Sequence, residues 1–388
     1  MPLSFPFVLS TWQNVSAFLF FAFCLSLPSG YSWGAGSTAL LALLGLPYWL
    51  RQTVDTRART LALLFVVLGL FWSNVFSGGA SWESGELGLK YGLAAVSVLG
   101  ASVITVSVRA IAWGLIAGSV SGCWLAFLQF NEIGRAKGYT NAIQFGDIAT
   151  VLGIMSACFC LLPHLRKAER VLLGAAAMLA LLTSFLSLSR GGWLLLLCIP
   201  FLFCLFAEQA KKRLQYSLVL SAVGLIAMVA AFQVPMVAER VDAAYAEASS
   251  YLKEPEKYAT TSTGQRLEQL RLAWKMGNEK PLTGWRERLE EGKQHFVDQG
   301  AAHPSVLDYD HAHNEWFDTW ARYGLPGVLL LFAAYAVPVI VFYPSRARLQ
   351  RIGPERRMQC KVLRISGLSL AVGVFVFGLT QAFFSHNS

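Results

Sequence analysis

Apolar runs long enough to cross a lipid bilayer recur along this chain from one end to the other, and no other feature constrains its fold so tightly. A helix needs about 20 apolar residues to cross ~30 Å of hydrocarbon, and inside that layer every backbone N–H and C=O must be paired within the segment. Runs of this kind lie near 12–29, 33–50, 60–76, 87–107, 111–130, 142–162, 171–188, 191–207, 216–235, 324–343 and 365–385. Composition agrees, with 55% hydrophobic and 14% charged residues, where a soluble domain carries about 25% charged. The expected fold is all-α: a polytopic membrane protein of about 11–12 transmembrane helices. The first run has no basic residue before it and no small-residue cleavage site that stands out, so it reads as a span and not as a cleavable signal peptide.

Basic residues gather in every second loop: Arg51, Arg57 and Arg59; Arg109; Arg166, Lys167 and Arg170; Lys211, Lys212 and Arg213; and Arg346 to Arg364. The positive-inside rule assigns such loops to the cytoplasm. The amino terminus is then cytoplasmic, and the long polar segment after residue 235 faces outward, into the periplasm if the host is Gram-negative. Three regions follow: a transmembrane bundle over 1–235, a periplasmic loop domain over 236–323, and carboxy-terminal spans over 324–388. Eleven spans would leave Ser388 outside, and a twelfth is expected beyond it.

The net charge of +9 therefore reflects topology and attraction to anionic membrane lipid, not nucleic-acid binding. No nucleic-acid motif or basic-aromatic stripe is present. The seven cysteines lie in spans or at a cytoplasmic edge, none in the outer segment, which argues against a disulfide framework or a zinc site.

The outer segment carries helical periodicity. Val237, Val241, Ala244 and Ala248 form one stripe; Leu267, Leu270 and Trp274 form another, on a helix capped by Thr263 or Gly264. A third helix is predicted from Arg286 to Gln299, then a loop over 300–312. With few large apolar groups, these helices are expected to lie on the membrane domain as a cap or crevice wall, without a deep core of their own.

Several polar residues stand where membrane physics tends to remove them. Arg190 lies in Ser189-Arg190-Gly191-Gly192-Trp193 between two apolar runs. A cation there needs water or an anion; a diphosphate suits the guanidinium fork, and a simple interfacial anchor is the plainer reading. Arg135 and Lys137 occupy another outer loop, with Asp147 in the next span as a possible counter-ion. Arg266 opens the helix after Gly264-Gln265. His313-Asn314, followed nine residues later by Gly324-Leu325-Pro326-Gly327, closes the outer segment and runs into an apolar helix expected to begin near Leu325. An imidazole at the membrane surface suits proton transfer near neutral pH; equally, a His-Asn pair can cap a helix. Asp308-Tyr309-Asp310-His311 offers carboxylates that could bind a metal or, through Asp310 or Asp308, orient His313. Glu315 and Asp318 are expected to be solvated.

At these residues the chain resembles the bacterial O-antigen ligases, within the wider O-antigen ligase/polymerase superfamily. His313-Asn314-x9-Gly324-x-x-Gly327 is similar to the ligase signature. Ser189-Arg190-Gly191-Gly192, Arg135-x-x-Gly138, Gly264-Gln265-Arg266 and Pro281-Leu282-Thr283-Gly284 resemble elements shared across the superfamily. The resemblance implies a GT-C-like, inner-membrane glycosyltransferase with no cofactor and no metal. It implies inverting transfer of O-antigen polysaccharide from undecaprenyl diphosphate to a sugar hydroxyl of lipid A–core oligosaccharide, which completes lipopolysaccharide. It implies His313 as general base, Arg135, Arg190 and Arg266 on the diphosphate, and Asn314, Gly324 and Gly327 in support; Asp310 is added to the supporting residues from the Asp-His cluster itself. An O-antigen polymerase of the same superfamily and a lipid-linked oligosaccharide flippase are the alternatives. The histidine motif favours ligase over polymerase, and charges clustered at one face instead of the midplane speak against a transporter.

Overall fold

A computed structural model describes residues 5–73, 82–207, 209, 211, 212, 214, 215, 217–219, 221, 222, 235–382 and 384. Among these the protein is all-α, with no strand. Seven helices are long and apolar enough to cross a membrane: Phe5–Phe23, Glu86–Val103, Val108–Ile133, Ala142–Phe159, Lys167–Leu186, Glu315–Gln350 and Arg356–Gly378. The chain is thus a multi-pass membrane protein. Three expected spans take shorter forms. The run near 33–50 is broken at Gly45 into Gly30–Leu44 and Leu46–Trp49, that near 60–76 is the 17-residue Thr56–Trp72, and that near 191–207 divides into Arg190–Leu196 and Ile199–Cys204, with Pro200 at the break. The run near 216–235 lies largely outside the described residues.

The chain divides into two compact units, one within Met1–Phe206 and Ala334–Gly373, the other within Ala207–Ala333 and Val374–Asn387. In the first, α1 (Phe5–Phe23) packs on α2 (Gly30–Leu44) and α6 (Val108–Ile133), α4 (Thr56–Trp72) on α5 (Trp82–Val103), and α7 (Ala142–Phe159) on α8 (Lys167–Leu186). Polar side chains start several of these helices. Asp55 accepts from the Arg57 N–H at 2.7 Å, and Asn141 accepts from Ile143 and Gln144 at 3.0 and 2.8 Å, meeting amides that the first helical turn leaves unpaired.

The contact between α1 and α6 is made by small residues. Gly114, Gly118 and Gly122 recur every fourth residue along one face of α6. A Cβ on Gly118 would lie 2.0 Å from the Phe21 carbonyl oxygen, and one on Gly114 2.8 Å from that of Phe18. In lipid, where apolar burial does not drive helices together, such close backbone approach supplies the packing.

In the second unit, α11 (Pro235–Lys253) and the single turn α12 (Pro255–Tyr258) pack on α13 (Ser262–Glu279), and α13 and α14 (Leu289–Asp298) close on a core with the segments that follow them. It comprises Leu272, Ala273, Met276, Trp285, Leu289, Phe296, Ala302, Val306, Ala312 and Ala321. This corrects the expectation of no deep core, because Trp285 and Phe296 supply the bulk that the weak stripes lacked. It also corrects the stripe on α13: Leu272, Ala273 and Met276 face inward while Trp274 is exposed. Thr261, not Thr263 or Gly264, caps that helix, its hydroxyl accepting from the Gly264 N–H at 3.1 Å. The third helix begins as a 3-10 turn, Arg286–Arg288, and the loop 300–312 contains another, Pro304–Asp308.

Gly118→Val should open the α1–α6 contact. Overpacking of this kind costs about 1–3 kcal/mol, read as a lower unfolding temperature of the detergent-solubilised protein; unchanged stability would show that the glycine face is not a packing surface.

Candidate functional site

The apolar helix that follows the histidine motif, α15 (Glu315–Phe342), begins ten residues earlier than its apolar run and bends at Gly324, where φ is +62° and ψ −154°. Glycine is the residue that adopts this conformation without strain. A Cβ on Gly324 would also stand 2.4 Å from the Pro281 carbonyl oxygen. The bend is clipped to the turn 281–284: the Leu325 N–H donates to Pro281 O at 2.7 Å and the Trp285 N–H to Ala321 O at 2.9 Å. Gly284, at φ +63°, would place a Cβ 2.2 Å from Arg322 O. Two motifs some forty residues apart in sequence thus form one backbone joint. Gly327 sits one turn below, where a Cβ would collide with that of Tyr323 at 2.3 Å.

Asn314 caps α15. Its Oδ1 accepts from the N–H groups of Trp316 at 3.0 Å and Phe317 at 3.2 Å, and its Nδ2 donates to Leu379 O at 3.0 Å. Glu315 and Asp318, expected to be solvated, are each only 3% exposed. Glu315 Oε2 accepts from the Phe384 N–H at 2.8 Å. Asp318 accepts from the Ala312 N–H at 3.0 Å and from Arg322 Nε at 2.7 Å, and Arg322 reaches on to the Asp310 carbonyl oxygen. From the other side, Lys293 Nζ donates to Tyr309 O at 2.5 Å and to Glu290 at 2.6 Å. Four residues of the segment 309–314, Tyr309, Asp310, Ala312 and Asn314, are therefore held by groups on α14, α15 and residue 379.

His313 itself has φ +52°, a left-handed conformation that costs a side-chain-bearing residue about 1–2 kcal/mol. Such strain persists where surrounding bonds over-determine it and is concentrated at functional sites. Its ring packs edge-on against His311, centroids 4.5 Å apart, and against Tyr309 at 5.4 Å. Its N–H donates to His311 Nδ1 at 3.4 Å. Burial holds the His311 imidazole below its ordinary value despite the nearby Asp318 charge, so His311 is a neutral acceptor at pH 7. Asp310 is exposed and enters the network through its carbonyl. A cavity of about 20 Å³ lies beneath, lined by His311, Asp318, Lys293, Tyr309 and Gln269. Gln269 is buried, with no hydrogen-bond partner for its amide among the described residues.

Arg266 stands exposed in the first turn of α13. On the same helix Glu268 is fully buried and receives Arg271 at 2.7 Å, the His303 N–H at 2.9 Å and the Tyr251 hydroxyl. Burial acts to raise this carboxyl, but those hydrogen bonds outweigh it and hold Glu268 below its ordinary value.

In the first unit, Arg135 Nε donates to Ser187 O at 2.9 Å and the Ala136 N–H to Leu186 O at 2.9 Å. The Arg135 loop is thereby joined to the chain three residues before Arg190, the first residue of α9 (Arg190–Leu196). The turn between is tight: Leu188 has φ +53°, and Ser189 N–H donates to Ser187 Oγ at 3.2 Å. Gly192 lets α9 press on α7, since a Cβ there would lie 3.0 Å from Asp147 Oδ1. Asp147 pairs with neither Arg135 nor Lys137; it is fully buried and without a hydrogen-bond partner among the described residues.

Sequence reasoning missed the parts played by Asp318, Arg322, Lys293 and His311. The i, i+4 spacing of Asp318 and Arg322 was a readable signal; the reach of Lys293 to Tyr309 was not, because it depends on how α14 packs.

Two outcomes follow from this geometry. Asp318→Asn should lose the charge-assisted bond to Arg322, about 1.5–3 kcal/mol, with faster amide exchange over 309–314; unaltered exchange would show the segment to be held by other means. Because Glu268 is depressed in the folded state, its contribution is complete above its ordinary value of about 4.3 and is lost as pH falls through that value towards the lower folded one. Acid melting of the solubilised protein should therefore be shallower in Glu268→Gln below about pH 4.5, and identical acid limbs would refute the assignment.

A family model described as O-antigen ligase matches residues 175–332. That stretch contains Ser189–Trp193, Gly264–Arg266, the Pro281–Gly284 turn and the His313–Gly327 motif; Arg135 precedes it. The chain is also 26% identical, over 276 residues, to an uncharacterized protein of Haemophilus influenzae, a match covering 69% of this chain and 66% of that protein, just under two thirds of its length. The matched stretch holds both the arginine-glycine turn and the clipped histidine helix, and over that stretch the chain is similar to the O-antigen ligases.

Proposed function

We propose that this protein is an O-antigen ligase: an inverting glycosyltransferase that moves O-antigen polysaccharide from undecaprenyl diphosphate to a sugar hydroxyl of lipid A–core oligosaccharide. The observation that carries this reading is His313, held in a left-handed conformation between two aromatic rings and the cap of an apolar helix. An imidazole so fixed is pre-organised for proton transfer near neutral pH. By the positive-inside distribution, the amino terminus is cytoplasmic and residues 236–323 face the periplasm of the bacterial inner membrane.

In the proposed reaction neutral His313 takes the proton of the acceptor hydroxyl. The hydroxyl oxygen forms a bond to the anomeric carbon from the face opposite the diphosphate. The bond from that carbon to the bridging oxygen breaks, and its electron pair leaves with undecaprenyl diphosphate. Arg135, Arg190 and Arg266 are the cations assigned to the developing charge. The tie of the Arg135 loop to residues 186 and 187 supports pairing Arg135 with Arg190 in that role. Asn314, Gly324 and Gly327 hold the base by shaping α15, and Asp310 contributes through its backbone to Arg322. The chemistry assigned to these residues uses no cofactor, because the donor carries its own leaving group.

The test is reconstitution of the purified chain with a polyprenyl-diphosphate-linked glycan and lipid A–core. Glycan transferred to the core is the expected product; lengthened lipid-linked glycan with none on the core would identify a polymerase instead. His313→Ala should abolish transfer while the protein remains folded, and Arg190→Lys should fall by 10²–10³-fold in rate. Normal turnover by His313→Ala would remove the base assignment.

A further inference from the structure

A second site lies at the basic end of the first unit, on residues the transfer reaction does not use. The last long helix, α17 (Pro354–Gly378), follows the short α16 (Arg346–Gln350). Arg356, Gln359, Cys360, Leu363 and Arg364 recur at helical spacing on one face of α17 and, with Ile352, line an open cavity of about 600 Å³.

The cations here are partly committed, and the remainder is informative. Arg364 Nη1 donates to Val341 O at 2.8 Å, and Arg348 Nη1 approaches the carbonyls of Ile340, Val341 and Tyr343 at 3.2–3.4 Å. These oxygens end α15, and arginine is a good partner for the unpaired carbonyls of a helix terminus. Arg364 Nε is buried and has no acceptor among the described residues. Arg57 feels the charge of both Arg348 and Arg364. Among the described residues, Arg348, Arg356 and Arg364 take part in no ion pair, the pairs of this unit being Lys90–Glu86 and Arg109–Glu169. Asp55 acts on Arg57 but forms no ion pair among the described residues, and an excess of cations at a membrane surface calls for an external anion.

The rest of the lining is Gln359, Cys360, Ile352 and Leu363, and an apolar face of α17 continues beyond it. Leu363 and Leu370, one heptad apart on the same helix, are 38% and 49% exposed. A ligand matching this face has an anionic group at one end and a hydrocarbon chain running from it. Free phosphate would satisfy the arginines and leave the leucines bare. We propose that this groove binds an anionic phospholipid, its phosphate between Arg356 and Arg364 and an acyl chain along Leu363 and Leu370. The guanidinium fork suits phosphate oxygens in pairs, and the surplus cations Arg57 and Arg348 favour a headgroup with net negative charge over a zwitterion. The inference does not depend on the transfer reaction proposed above.

The full-length protein, purified in mild detergent and exposed to equal amounts of phosphatidylglycerol and phosphatidylcholine, should retain the former at least tenfold better in native mass spectrometry. Arg356→Gln, an exposed position outside the helix-capping bonds, should lose most of that preference while the protein melts normally. Arg364→Gln should lose it too, with some loss of stability from the missing cap. Equal retention of the two lipids, unchanged preference in Arg356→Gln, or uptake of inorganic phosphate without lipid would overturn the proposal.

Discussion

The carboxylate of Asp318 is the point at which the histidine segment and the apolar helix become one object. One oxygen receives the Ala312 N–H and the other the Arg322 guanidinium, whose far end holds the Asp310 carbonyl. Without that charge, the buried Ala312 amide would lose its partner and the half-buried Arg322 guanidinium its carboxylate, and unpaired buried polar groups are costly. With it, six residues that carry no regular structure are pinned to a rigid element. A site on a loop gains precision when its backbone is tied to a helix in this way.

The same economy shapes the joint at Gly324. A helix in a membrane protein can depart from regular geometry only where other protein groups take up the freed backbone bonds. Here Pro281 O accepts the Leu325 N–H, and the two positive-φ glycines allow the strands of the joint to meet at backbone distance. The bend therefore exists because the turn 281–284 exists. In the first unit a comparable device joins the Arg135 loop to the end of α8, so that a cation from one connection is fixed beside the turn that starts α9. At the basic end, arginines meet the carbonyls that close α15. One residue type serves both as helix cap and as charged wall.

Much of the fold was legible because bilayer physics leaves few options: apolar runs of the required length became the long helices of the all-α protein. The shorter runs failed for visible local reasons, Gly45 and Pro200 among them. The buried state of Asp318 and Glu315 was not legible, since an acidic residue after a polar loop reads as solvated until its partners are known. Nor was the core around Trp285 and Phe296, which depends on α13 and α14 folding against each other and not on the periodicity of either.

By itself the sequence determined that the chain is built of membrane-crossing helices, the basic and polar loops, and the motifs at Arg190, Gly264–Arg266 and His313–Gly327, because these rest on residue type and spacing along the chain. Tertiary structure alone decided which side chains hold the histidine segment, where α15 begins and bends, and that Asp147 is buried against α9. Those outcomes depend on contacts between residues far apart in sequence. Such contacts are set by packing and by the need to pair every buried polar group, which no local pattern encodes.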